Sequence, residues 1–323
     1  MEKRNVGKSG LKVSAVGLGC NNFGWLIDPE LSEKIIHKAL DLGVTLYDTA
    51  PVYGVNGGES EQILGKALGA RRKDVTVLTK FGMMLDRTGR TDTSRGAIMK
   101  DIEASLTRLG TDYIDIYMLH WPDWSTPMEE TLRALDDIIA SGKARYIGCS
   151  NIPAWRLVEA KWISKTERLH GFIVSQNEYS LAQRDADSSL FPALKDYGVG
   201  FMGYAPLANG LLTGKFKPGV AAPEDSRLGK NMWGTGKRYL AEPMLQLADK
   251  LDQFAQARGH SLIELAINWQ LSNPLVCSTI AGASKVEQLE ANVAAGTCGW
   301  RLSAEELAEV DRICKESRKA ARG

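Results

Sequence analysis

The sequence is poor in the residues that build covalent or metal frameworks. Its 323 residues include five cysteines, Cys20, Cys149, Cys277, Cys298 and Cys314. That number is odd, the spacing is wide and no Cys-x-x-Cys occurs, so a disulfide scaffold or a zinc site is not expected and a reducing compartment fits. The four histidines are scattered, with no His-x-x-x-His pair, and no metal is expected. No apolar run approaches the ~18 residues of a membrane span. Met1–Val13 is charged and lacks the apolar stretch of a secretory signal, so a cytoplasmic location is expected. Charge of one sign is missing too: 40 Lys and Arg face 39 Asp and Glu. A nucleic-acid or membrane surface needs a basic excess or stripe, so neither partner is expected.

The familiar nucleotide motifs are also absent. Gly17-Leu18-Gly19-Cys20-Asn21-Asn22 starts like a dinucleotide fingerprint but has Asn22 at the third glycine position. Gly7-Lys8-Ser9 ends like a P-loop, yet Glu2 stands where the first glycine belongs. There is no Gly-x-Ser-x-Gly elbow.

What is present is a repeat of short strands and helices. Strand-like runs rich in Val, Ile, Leu and Tyr fall at Ser14–Gly19, Val44–Thr49, Val75–Lys80, Ile114–His120, Ala144–Ser150, Phe172–Asn177, Gly200–Ala205 and Val276–Ala281. Several are apolar almost throughout, as strands covered on both faces are. Helix starts are predicted at Asp28-Pro29-Glu30 and, as capping boxes, at Thr126–Glu129, Ser284–Glu287 and Ser303–Glu306. Gly43, Gly110, Gly142 and Gly198 stand where helices should stop. Eight such units form either a closed barrel or a doubly wound sheet. Outside the repeat lie a predicted hairpin over Lys3–Val13 and a long segment, Leu207–Glu242, after the seventh strand. A loop of that length is usually functional, often a lid. No linker is visible, and one domain over 1–323 is expected.

The polar residues fall at strand ends. Asp48 closes the second run and Tyr53 follows it; Lys80 closes the third and His120 the fourth. Ser150-Asn151, Gln176 and Tyr204 close the fifth, sixth and seventh. These groups converge only if the strands form a barrel, whose C-terminal ends share one mouth. An ammonium beside a phenol stabilises phenolate and would lower the Tyr53 pKa, with Asp48 holding Lys80 in place. Such a phenol could give or take a proton, and His120 could orient a carbonyl oxygen. No side chain supplies a hydride, so a nicotinamide would be needed. Lys80 could equally serve as a Schiff-base lysine, as in aldolases on this kind of barrel. Singly, Asp48 and Asn151 could be caps, Gln176 a buried structural amide, and His120 a core histidine.

The set Asp48, Tyr53, Lys80 and His120 resembles the catalytic tetrad of the aldo-keto reductases. The resemblance extends through Leu119-His120-Trp121-Pro122-Asp123, Gly148-Cys149-Ser150-Asn151, Gln176-Asn177-Glu178-Tyr179, Tyr204-Ala205-Pro206-Leu207, Gly210–Lys215 and Gly282-Ala283-Ser284. It implies a (β/α)8 TIM barrel with a small N-terminal hairpin and a long loop after strand 7. It also implies oxidoreduction between aldehydes or ketones and alcohols, with NADP(H) preferred and NAD(H) possible. Tyr53 would be the general acid, Lys80 and Asp48 would tune it, and His120 would place the substrate. Ser150, Asn151 and Gln176 would bind the nicotinamide carboxamide and Tyr204 its ring. Pro206, Leu207, Gly210, Leu211 and Lys215 would cover the pyrophosphate. Gly282, Ser284, Lys285, Gln288 and Asn292 would hold the adenosine end, where a helix N-terminus and Lys285 suit a 2′-phosphate. Here the chain departs from similar proteins: Ala281 stands in place of a proline, and Ala291 precedes Asn292 in place of an acid. Trp25 and Trp121, with Met83, Trp124 and Trp233 behind them, are candidates for lining a pocket for bulky carbonyls or sugars. A regulatory, redox-sensing barrel with slow turnover is the competing reading, and a Schiff-base aldolase using Lys80 a second.

Overall fold

A computed structural model describes residues 1–84, 88–224 and 226–320, with the side chains of Trp233 and 318–320 left aside. Eight parallel strands close into a barrel: β3 (Val16–Gly19), β4 (Leu46–Asp48), β5 (Thr76–Phe81), β6 (Ile114–Leu119), β7 (Ala144–Ser150), β8 (Val174–Glu178), β9 (Gly200–Tyr204) and β10 (Val276–Gly282). They lie in chain order, and β10 pairs with both β9 and β3. The eight predicted runs coincide with these strands to within two residues at each end. The doubly wound alternative is excluded by closure.

Two antiparallel strands, β1 (Lys3–Asn5) and β2 (Lys12–Ser14), form the predicted hairpin. Val6 and Val13 are fully buried against Leu46, Leu78, Ile116, Val174 and Met202, which fill the barrel. The hairpin therefore plugs the N-terminal end of the barrel. Gly7 has φ +56, and a side chain there would meet the Gly198 carbonyl at 2.7 Å, so only glycine allows this approach.

The outer helices are α1 (Pro29–Asp41), α2 (Glu59–Leu68), α3 (Arg95–Leu109), α4 (Met128–Ala140), α5 (Ala154–Glu167), α6 (Leu190–Tyr197), α7 (Thr235–Tyr239), α8 (Glu242–Gln256), α9 (Leu262–Leu271), α10 (Val286–Thr297) and α11 (Ala304–Ala320). Asp28 caps α1 through the Leu31 N–H, at 2.8 Å. Ser303 and Glu306 form the expected reciprocal box. Two predicted boxes do not form. Thr126 donates to Asp123 Oδ2 at 2.6 Å, which leaves Pro127 at the start of α4. Before α10, Gln288 and not Glu287 reaches back to the Ser284 N–H, at 2.8 Å. A further box, Ser261 with Glu264, opens α9. The segment after β9 holds two 3-10 turns, Ala208–Thr213 and Met232–Gly234, and the short α7 before α8 begins. Among the described residues no helix is long and apolar enough to cross a membrane.

Candidate active site

Strand periodicity builds the mouth. Leu46, Leu78, Met118, Val174 and Met202 face the barrel interior. Side chains alternate across a strand, so the residues two further along share that face. Those residues are Asp48, Lys80, His120, Gln176 and Tyr204. Gly148 also faces inward, since a Cβ there would stand 2.8 Å from both Met118 and Val174, and Ser150 lies two beyond it. One polar ring therefore caps an apolar barrel. Tyr53 joins it from the loop between β4 and α2.

At the centre, the Lys80 ammonium donates to Asp48 Oδ1, to the Thr49 carbonyl at 3.0 Å and to Tyr53 Oη at 3.4 Å. These three acceptors use all three N–H groups. Lys80 is fully buried and Asp48 is 4 % exposed. The His120 ring meets Tyr53 edge-on, with centroids 5.9 Å apart. The four tetrad residues thus converge.

Electrostatics correct one expectation. The Tyr53 phenol is held well above its ordinary value, not lowered: burial dominates, and the Asp48 charge adds to it. Lys80 is neutralised by Asp48, so little net positive charge reaches the phenol. Burial also raises the Asp48 carboxyl, against the pull of Lys80 and Gln176. Burial, then Lys80, holds the His120 imidazole well below its usual range. The site at neutral pH therefore contains a protonated phenol and a neutral imidazole.

Lys80 Nζ is held by three acceptors that it would have to leave to attack a carbonyl, which argues against the Schiff-base alternative. The amides lie on the far side of the ring. Gln176 Nε2 donates to Asp48 Oδ2 at 3.3 Å. Asn151, at φ +59, donates to the His120 carbonyl and to Ser150 Oγ, and accepts from Tyr204 Oη at 3.0 Å. Tyr204 is thus anchored through its hydroxyl. Beyond β9 the backbone takes positive φ at Ala205, Ala208, Asn209 and Gly210. Such strain at non-glycine residues costs of order 1 kcal/mol each and gathers at functional sites. Pro206 and Leu211 are buried here and Leu207 partly so. Lys215 lies beside Gly210, where an added Cβ would be 3.5 Å from its Nζ.

On the β10 side, Gly282 and Lys285 are exposed, and Ser284 Oγ bonds Gln288 Oε1 at 3.1 Å. Asn292 is buried, with Nδ2 3.5 Å from the Gly282 carbonyl. Two residues the sequence reading did not select stand here. Asn22 donates to the Ala283 carbonyl at 2.9 Å and accepts from Arg227 at 2.7 Å. Burial lowers the Arg227 guanidinium. Neither residue sits at a strand end, so no spacing signal marked it.

Trp25 and Trp121 are 40 % and 43 % exposed on the loops after β3 and β6. The Val55 N–H donates to the Gly24 carbonyl at 3.1 Å, which ties the Trp25 loop to the Tyr53 loop. Met83 is half-buried beside β5. Trp124 instead stacks on Trp155, 5.9 Å between centroids, on the outer rim. The expectation for the Trp233 side chain falls outside the described residues. Away from the mouth, His260, Glu264 and Cys298 bring donor atoms within 4.8 Å of one another. Glu264 is taken up by the Ser261 cap, Asn268 donates to Cys298 Sγ and His260 stacks on Trp300, so each member already has a structural partner.

A model of the Aldo/keto reductase family matches residues 15–315. An Escherichia coli O157:H7 protein named L-glyceraldehyde 3-phosphate reductase is 38 % identical, with 97 % of this chain and 92 % of the relative covered. A probable voltage-gated potassium channel subunit beta of Arabidopsis thaliana is also 38 % identical, covering 91 % of each chain. An uncharacterized oxidoreductase of Bacillus subtilis is 35 % identical over the same shares.

Proposed function

The chain belongs to the aldo/keto reductase family, and on that premise we propose that the polar ring is its active site, with Tyr53 as the proton donor and NADP(H) as the redox partner. Family membership makes the protein an oxidoreductase that interconverts carbonyl compounds and alcohols. The observation that carries the residue assignment is the Lys80 ammonium, whose three donors reach Asp48, the Thr49 carbonyl and Tyr53.

A buried phenol stays protonated at neutral pH, as a proton donor for reduction must. As the carbonyl oxygen of the substrate becomes an alkoxide, Tyr53 transfers its proton to it. The phenolate left behind faces the Lys80 ammonium at 3.4 Å. Neutral His120 keeps an N–H for the same oxygen and orients it. A bound reduced nicotinamide supplies the hydride for the carbonyl carbon.

The donor set fits such a cofactor. Ser150, Asn151 and Gln176 offer hydroxyl and amide groups in the polar ring, where a carboxamide would be held, and Tyr204 offers a ring face. Pro206, Leu207, Gly210, Leu211 and Lys215 would cover the pyrophosphate from the strained turn. Gly282, Ser284, Lys285, Gln288 and Asn292 would hold the adenosine end. Glu290 is paired with Lys38 at 2.7 Å, so it does not cancel Lys285. That favours NADP(H) over NAD(H). Small carbonyl compounds are the partners, and Trp25 and Trp121 would flank their entry. Cys20, Cys149, Cys277 and Cys314 are buried thiols outside any disulfide, which fits a cytoplasmic setting.

The test is NADPH consumption over a panel of aldehydes, ketones and aldoses that includes L-glyceraldehyde 3-phosphate. Lys285→Ala should raise KM for NADPH about tenfold, a loss of ~1.4 kcal/mol, and leave KM for NADH unchanged. Absence of turnover with every carbonyl would sink the reading. One observation favours a second role as a nucleotide-holding subunit. Helix α5 turns Trp155 and Trp162, 59 % and 55 % exposed, to solvent, an apolar face a partner could cover. Relatives named as channel subunits agree with it. Tight NADPH binding with negligible turnover would select that role.

A further inference from the structure

The first turn of α2 reaches the site from behind. Glu59 accepts from the Asn56 N–H at 2.8 Å and so ties down the loop that carries Tyr53. Ser60 Oγ donates to the Cys20 carbonyl and lies 2.8 Å from Thr49 Oγ1. Thr49 in turn presents its carbonyl to Lys80. Glu61, fully buried, accepts from Thr79 Oγ1 at 2.6 Å through one oxygen and from Arg108 Nε at 2.6 Å through the other.

Thr79 immediately precedes Lys80. Its neighbours Leu78 and Lys80 face inward, so its hydroxyl faces outward, away from any substrate. A buried carboxylate is expensive, and apolar packing between α2 and α3 would often be no less stable. Arg108 runs close over residue 58, which is glycine: at φ +88, a Cβ there would stand 2.5 Å from Arg108 Cδ and push the side chain aside. Ser105 Oγ accepts from Arg108 Nη2 at 3.2 Å and completes the clamp.

We propose that Glu61, clamped by Arg108, is a positioning residue: by holding Thr79 it fixes the end of β5 and sets the spacing of Lys80 from Tyr53. This rests on the reading of Tyr53 as proton donor. Glu61 touches neither substrate nor cofactor.

Thr79→Val removes the hydroxyl and keeps the shape, and Thr79→Ser keeps the hydroxyl. Since small misplacements of reacting groups cost up to ~100-fold, Thr79→Val and Glu61→Gln should each lower kcat about 10- to 100-fold. KM for NADPH should stay within about twofold, and Thr79→Ser should match the native enzyme. A crystal structure of Thr79→Val should show Lys80 Nζ beyond hydrogen-bond reach of Tyr53 Oη, more than ~3.6 Å. A native kcat with only a lowered thermal midpoint overturns the proposal, and so does an unchanged 3.4 Å contact. Should the native protein show no Tyr53-dependent turnover, the functional reading fails, and the crystal structure still decides the positioning claim.

Discussion

Asp48→Asn removes one charge from a pair that water does not reach. Asp48 is 4 % exposed and Lys80 fully buried. Removing one partner of such a pair leaves the other uncompensated, at a cost of about 3–5 kcal/mol. Asparagine cannot make good the loss. If its oxygen faces Lys80, its amide faces Gln176 Nε2, which now donates to Asp48 Oδ2. Two donors then oppose each other unless Gln176 turns. Unfolding entropy of ~2.1 cal/mol/K per residue over 323 residues is about 0.7 kcal/mol/K, so the midpoint should fall by about 4–7 °C. Lys80→Met strands the carboxylate and should cost a similar amount. The double variant leaves no uncompensated charge, because the introduced amide is neutral and can turn its oxygen to Gln176 Nε2, so it should lose clearly less than the two single variants together. Calorimetry on the four proteins should therefore show a coupling of at least ~2 kcal/mol. Additive losses, or a single loss below ~1 kcal/mol, would refute the picture of a desolvated pair.

Thiol chemistry should be selective. Burial pushes the Cys149 and Cys277 thiols up to about 12 and raises Cys20, while Cys298 is exposed. Native protein should take up one iodoacetamide quickly, at Cys298, and Cys298→Ser should abolish that; a second fast thiol contradicts the burial pattern. His120 should make stability pH-dependent. Its folded pKa is depressed below 6.5, so as pH falls through 6.5 the unfolded chain takes up a proton that the folded protein refuses. This contribution is complete above that range and is lost on acidification. The stability of the native protein relative to His120→Asn, read by urea unfolding, should shrink from pH 7 to pH 5; a constant difference counts against it. Ser261→Ala should cost about 1 kcal/mol, because Ser261 and Glu264 cap α9 reciprocally. Ser284→Ala should cost no more than a few tenths of a kcal/mol, because Gln288 still receives the backbone N–H.

The barrel was legible because parallel strands covered on both faces read as apolar runs, as in Ile114–Leu119, and because Gly110 and Gly198 adopt the left-handed caps their positions suggested. The polar ring was legible because each member ends such a run. The boxes at Thr126 and Ser284 misled because local spacing cannot register competing partners, Asp123 and Gln288. The direction of the Tyr53 shift was misjudged for a related reason: a lysine near a phenol says nothing of the carboxylate that neutralises it. Glu61 and Arg108 left no sequence signal, since an acid in a first helical turn and a base near a last turn are ordinary.

The central claim is that Tyr53 donates the proton. Tyr53→Phe removes one hydroxyl and keeps the ring that meets His120. NADPH affinity, followed by quenching of protein fluorescence, should be unchanged, while kcat for the best carbonyl of the panel falls about 10²–10⁴-fold, the usual contribution of a positioned acid. A Tyr53→Phe enzyme that binds NADPH and turns over at the native rate would contradict the account.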